Sequence, residues 1–130
     1  MTRIKALRGS IKTRLEDSCG IKFYSEYAPG WAKPPFGVFS LLLIRRGESQ
    51  DQYDLMVNIA DSGADADTVE ALTEACARGL DRYDYFDAGQ SWTAWLSGIS
   101  PVDHADMTLH QQRLSFDLTY TTRRTDDEEI

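Results

Sequence analysis

Gln112-Arg113-Leu114-Ser115-Phe116-Asp117-Leu118-Thr119-Tyr120-Thr121-Thr122 carries the clearest alternation in the chain. Successive side chains of a strand point to opposite faces. Leu114, Phe116, Leu118 and Tyr120 therefore share one face, and Arg113, Ser115, Asp117 and Thr119 share the other. An apolar face backed by a polar one predicts a half-buried strand of an antiparallel sheet. A second run has the same signature: Tyr53, Leu55, Val57 and Ile59 alternate with Asp54, Met56 and Asn58.

Between the N-terminus and that second run the chain offers two further strands. Ile21 to Tyr27 is β-rich, with Ile21, Phe23, Ser25 and Tyr27 on one side and the wetter Lys22, Tyr24 and Glu26 on the other. Phe36 to Arg46 is apolar on both faces through Val38, Leu41, Leu42, Leu43 and Ile44. That pattern suits a central strand covered on both sides along part of its length. The polar stretch Gly47 to Gln52 then turns the chain, so this strand and the Tyr53 run make a hairpin. Ala28-Pro29-Gly30-Trp31-Ala32-Lys33-Pro34-Pro35 is neither helix nor central strand, because its three prolines remove backbone donors and force an extended loop. Trp31 in such a loop either folds back over the core or projects towards a partner.

Two helical stripes complete the count. Ile4, Leu7, Ile11 and Leu15 recur at helical spacing within Arg3 to Asp17, leaving Lys5, Arg8, Lys12 and Arg14 for solvent. Gly20 is placed to stop this helix in the left-handed region. Asp67 followed by Glu70 resembles a capping box opening a helix over Thr68 to Arg82, whose buried stripe is Val69, Leu72, Cys76 and Leu80. Cys76 on that stripe reads as a small core residue and not as a nucleophile. Asp81 to Gly89 is a polar-aromatic connection. Ser91 to Ser100 is a strand with Trp92, Ala94 and Leu96 on one face and Trp95 and Ile99 on the other; Pro101 ends it, and Val102 to His110 is a loop or a broken turn. The order α-β-β-β-α-β-β predicts an α+β, two-layer domain: a mainly antiparallel sheet of about five strands with two helices on one face. Residues 1–122 form that single domain, and the acidic end 123–130 has almost nothing to bury and reads as a flexible tail.

Composition narrows the class. At 130 residues, with 42% hydrophobic and 27% charged residues, the chain has the makeup of one globular domain. No apolar run approaches the ~20 residues of a membrane span, and no signal-peptide core follows the N-terminus. Cys19 and Cys76 fit neither a metal spacing nor a disulfide framework, so the expectation is a cytosolic chain. Charge is unevenly spread: residues 1–50 balance to +5 and residues 51–130 to −12, together the net −7. Such a molecule suits head-to-tail assembly between unlike faces. The groups best placed for an assembly interface are Trp31 and Lys33 in the Pro-rich loop, Arg45 and Arg46 ending a strand, and Asp61 and Asp65 in the acidic loop.

Catalytic signatures are sparse. There is no phosphate-binding loop, dinucleotide fingerprint, Gly-x-Ser-x-Gly or His-Glu-x-x-His. Asp103, His104, Asp106 and His110 form the one cluster able to hold a metal or shuttle protons, and they lie in a polar segment where such residues gather anyway. The spacing of Asp61, Asp65 and Asp67 lacks the glycine and the bidentate glutamate of a calcium loop. The tryptophans sit in acidic surroundings, which fit a core plus a protein interface better than a single-stranded nucleic-acid site.

Taken in order, these pieces resemble the tail terminator (tail completion) proteins of long-tailed bacteriophages, of the minor tail protein U type. The resemblance rests on the opening amphipathic helix, Phe23-Tyr24 leading to Pro29, and Pro35-Phe36-Gly37-Val38-Phe39 starting the second strand. The hairpin, the helix Thr68 to Arg82 and the strand Arg113 to Tyr120 complete it. It implies a non-enzymatic virion protein without cofactors, assembled in the bacterial cytoplasm into a ring, commonly hexameric, at the head-proximal end of the tail. There it would stop tail polymerisation and dock the head, with the major tail tube protein and a head-completion or neck protein as partners. DNA would pass through the ring without specific binding. Two alternatives stay open: another neck component, such as a head-completion or connector protein, and a small α+β enzyme or ligand-binding protein using Asp103, His104, Asp106 and His110.

Overall fold

A computed structural model describes residues 3–62, 66–102 and 109–122. The elements run α1 (Arg3–Cys19), β1 (Lys22–Ser25), β2 (Phe36–Arg46), β3 (Asp51–Asp61), α2 (Asp67–Leu80), β4 (Tyr83–Phe86), β5 (Gln90–Pro101) and β6 (His110–Thr122). Six strands form one sheet in the order β1-β2-β3-β6-β5-β4; β1 pairs parallel with β2, and every other pairing is antiparallel. Both helices pack on one face, which gives the expected α+β, two-layer architecture with one strand more than the sequence suggested. The added strand is β4, read above as a connection. It is a four-residue edge strand paired through Tyr83↔Ala94 to Phe86↔Ser91.

The core follows from four apolar rows. Leu55, Val57 and Ile59 of β3 and Leu114, Phe116, Leu118 and Tyr120 of β6 are all buried on the helix side. Leu7, Ile11 and Leu15 of α1 and Val69, Cys76 and Leu80 of α2 cover them, with Ile4 and Leu72 packed at the margins. At ~25 cal/mol per Å² of apolar surface removed from water, these rows are the main reason the two layers stay together. Gly20 ends α1 at φ 74°, donating to the Glu16 carbonyl at 2.8 Å. Gly37 lies opposite Phe23 in the β1–β2 pair, and a Cβ there would run into the Phe23 ring.

Several local expectations need correction. β1 ends at Ser25 because Glu26 takes φ 73°, and Tyr27 turns out into solvent at 77% exposure. α2 is capped by Ala66 with no side-chain hydrogen bond, and Asp67 is already its first residue, so no capping box forms. Leu42 and Ile44 are more than half exposed: the distal half of β2 extends past the helices instead of being covered on both faces. A bulge between Leu96 and Gly98 flips the phase of β5, placing Ile99 opposite the inward Leu114 and so on the face opposite to Trp95. Arg14 is half-buried and not left wholly to solvent: its Nε donates to the Gly79 carbonyl at 2.9 Å and its guanidinium stacks 3.7 Å from the centre of the Tyr83 ring. That one side chain ties α1, α2 and β4 together. The acidic end 123–130 lies outside the described residues.

Candidate assembly surface

The sheet has two uneven edges. β1 covers β2 only from Phe36 to Phe39. Among the described residues nothing pairs with the outer edge of β2 from Ser40 to Arg46. At the other side β4 reaches β5 only from Ser91 to Ala94, with Arg82 N–H donating to Ala94 and the Asp81 carboxylate accepting from Leu96 N–H at 2.9 Å. Beyond Leu96 the outer edge of β5 likewise has no strand partner among the described residues. Open strand edges expose backbone donors and acceptors and act as templates for pairing. Here they are flanked by apolar side chains: Leu42 (62% exposed) and Ile44 (55%) on β2, and Trp95 (48%) on β5.

The residues singled out from the sequence fall at two ends of this sheet. Trp31 and Lys33 lie in the loop joining β1 to β2, at the end where β2 begins. Trp31 is 75% exposed, and its ring meets Tyr24 edge-on at 6.1 Å between centres; Tyr24 in turn meets Phe36 at 6.2 Å. The loop therefore projects its indole and does not use it as a core lid. Asp61 closes β3 at this same end, buried and opposite His110. Arg45 and Arg46 sit at the far end, exposed, beside the β2–β3 turn that Gly47 N–H closes onto the Gln50 carbonyl at 2.8 Å. Trp31 and Asp61 are thus brought near one end while the arginines are separated from them by the length of β2. Asp65 lies outside the described residues, as do Asp103, His104 and Asp106 of the alternative cluster.

Sequence reasoning missed the β4 edge. Asp81, Asp84 and Asp87 line it, and Phe86 is 70% exposed. Its turn is fixed by Asp87, whose Oδ1 accepts from Gly89 N–H at 2.7 Å and Gln90 N–H at 3.0 Å, while Tyr85 Oη donates to Oδ2 at 2.7 Å. The Tyr85 hydroxyl and the Gly89 amide hold the Asp87 carboxyl below its ordinary range, and the same bond raises the Tyr85 phenol. The Tyr-x-Tyr spacing at 83 and 85 was the available signal; both rings pack on Trp92 of β5.

Among the described residues no three His, Cys, Asp or Glu side chains gather as a metal site. Cys76 is fully buried on the inner stripe of α2, where the neighbouring Cys19 sulfur and burial push its thiol up. No helix of the described residues is long and apolar enough to cross a membrane.

Comparison with known proteins adds the fold. No protein family matches the chain, and neither does any curated protein. Among solved structures, the fold matches a chain from the "Virion of native gene transfer agent (GTA) particle", with a TM-score of 0.63 at 14% identity, covering 82% of this chain and 84% of that one. The architecture is therefore one that a virion particle uses, over about four fifths of both chains.

Proposed function

We propose that this chain is a structural virion protein of a tailed, phage-like particle. It forms a ring, six copies in the tail-terminator resemblance, that caps the head-proximal end of the tail tube, halts its polymerisation and presents the docking surface for the head or neck. The observation that carries this reading is the fold likeness, over about four fifths of both chains, to a chain of a gene transfer agent virion. The uneven charge and the two open sheet edges support it, because a ring needs a patch on one copy that meets a different patch on the next.

Deleting the gene from the genome that encodes the particle tests this reading by electron microscopy. A tail terminator's loss leaves filled heads unattached and tails of uncontrolled length. Loss of another neck component leaves tails of normal length beside unjoined heads, which would move the chain one layer towards the head. Intact, infectious particles without the protein would contradict both.

A further inference from the structure

On the ring reading just given, we infer that neighbouring copies join by sheet extension, the acidic edge strand β4 of one copy lying beside the open half of β2, Leu43 to Arg46, of the next. The two ends of the sheet match in shape. Pairings across the sheet set Tyr83 level with Leu43, Asp84 with Arg45 and Tyr85 with Arg46, through Ala94, Leu118 and Tyr53 in the first row and their equivalents in the others. At the other end, Phe23 to Ser25 of β1 are level with Pro101 to Ile99 of β5. Each copy is therefore a tile with a strand at one upper corner and one at the opposite lower corner. The two remaining corners are the open edges.

A second copy placed alongside at the same height brings its vacancy beside β2 to the protruding β4, and its β1 side to the vacancy beside β5. β4 and β2 run in the same direction in this arrangement, so they would form a parallel pair. Directly level residues share a face, which puts Asp84 of one copy beside Arg45 of the next on the face away from the helices. Charge complementarity selects this occupant: β4 and its flanks carry Asp81, Asp84 and Asp87, and the open end of β2 carries Arg45 and Arg46. Exposed Phe86 and Ile44 supply apolar surface at the same seam. Strand addition of this type draws affinity from backbone hydrogen bonds and register from side chains. Because the two edges differ, the contact is heterologous and repeats from copy to copy until the ring closes.

Mixing edge variants tests the inference. Arg45→Glu/Arg46→Glu damages only the β2 edge, and Asp84→Lys only the β4 edge; all three positions are exposed, and an unchanged melting temperature confirms that each variant folds. In native mass measurements at low salt, the wild-type chain is expected to assemble and each variant alone to be monomeric. A mixture of the two is expected to assemble with the variants alternating, because the wild-type pairing forms at one seam and the two reversed charges meet at the next. Amide exchange at residues 43–46 and 83–86 should slow on assembly of the wild type. Variants that assemble like the wild type, or a mixture that stays monomeric, would overturn the seam while leaving a ring of other construction possible. A wild-type chain that is monomeric at every concentration would overturn the seam and the ring together. A chain ending at Thr122 should assemble normally; its failure together with that of Arg45→Glu/Arg46→Glu, while Asp84→Lys assembles, would overturn the seam and give the β2 edge to the acidic segment 123–130.

Discussion

Trp31 and Phe116 are both large aromatic residues, yet the structure gives them opposite duties. Phe116 is 1% exposed in the middle of the inward row of β6, while Trp31 is 75% exposed with one edge-on aromatic neighbour, Tyr24. Truncating Phe116 to alanine leaves a cavity that a packed core refills poorly, and should cost roughly 3–5 kcal/mol in chemical denaturation. Trp31→Ala should leave the denaturation midpoint nearly unchanged. If its loop is a docking surface, head joining or ring formation should be lost, since interface energy concentrates in a few aromatic anchors. Plaque or transduction assays beside the melting curve separate the two effects. The inward duty of Phe116 was legible because alternation alone decides it. Trp31 was not, because a loop residue's burial depends on which way the loop lies over its neighbours.

Elements show the same division. β3 and β6 were plain from period-two patterning, and α1 and α2 from helical spacing, because each buries one face along its length. β4 was missed because four residues hold too little pattern, and β2 was misread because its apolar upper half continues beyond the helices that would cover it. The phase of β5 past Ser97 was also out of reach: a bulge shifts register without changing composition. Two glycines give opposite expectations on this basis. Gly9 of α1 is exposed with open space around a would-be Cβ, so Gly9→Ala should stabilise the protein by about 0.5–1 kcal/mol. Gly37 carries the Phe23 ring on its face, and Gly37→Ala should destabilise it by roughly 1–3 kcal/mol, since the ring must leave its packed position. Urea unfolding of both variants checks the pair.

The β4–β5 turn makes a pH prediction. The folded-state pKa of Asp87 lies below its ordinary value, chiefly through the Tyr85 hydroxyl and then the Gly89 amide. Its contribution is therefore present above the ordinary aspartate range and lost as pH falls through the lowered value. The Gly89 and Gln90 amide resonances, followed by NMR, should keep their bonded shifts down to pH values below those at which an unperturbed aspartate protonates. Asp87→Asn should remove that acid transition. A Gly89 shift that titrates at the ordinary aspartate value would contradict the geometry.

For the whole molecule, the governing feature is the charge at the two sheet edges, Arg45 and Arg46 on β2 and Asp81, Asp84 and Asp87 along β4. Interactions between exposed charges weaken as the Debye length falls from ~10 Å at 0.1 M salt to ~3 Å at 1 M. Assembly should accordingly weaken across a salt series in light scattering, with the fold unaffected by circular dichroism. Assembly that strengthens steadily with salt would instead give the seam to apolar contact alone. The most direct measurement of the account is the position of this chain in an intact particle. Tagged at its N-terminus and labelled with gold, purified particles should show label at the junction between head and tail, and isolated tails should carry it at one end only. Label spread along the tail, on the head shell, or absent from the particles would contradict the account.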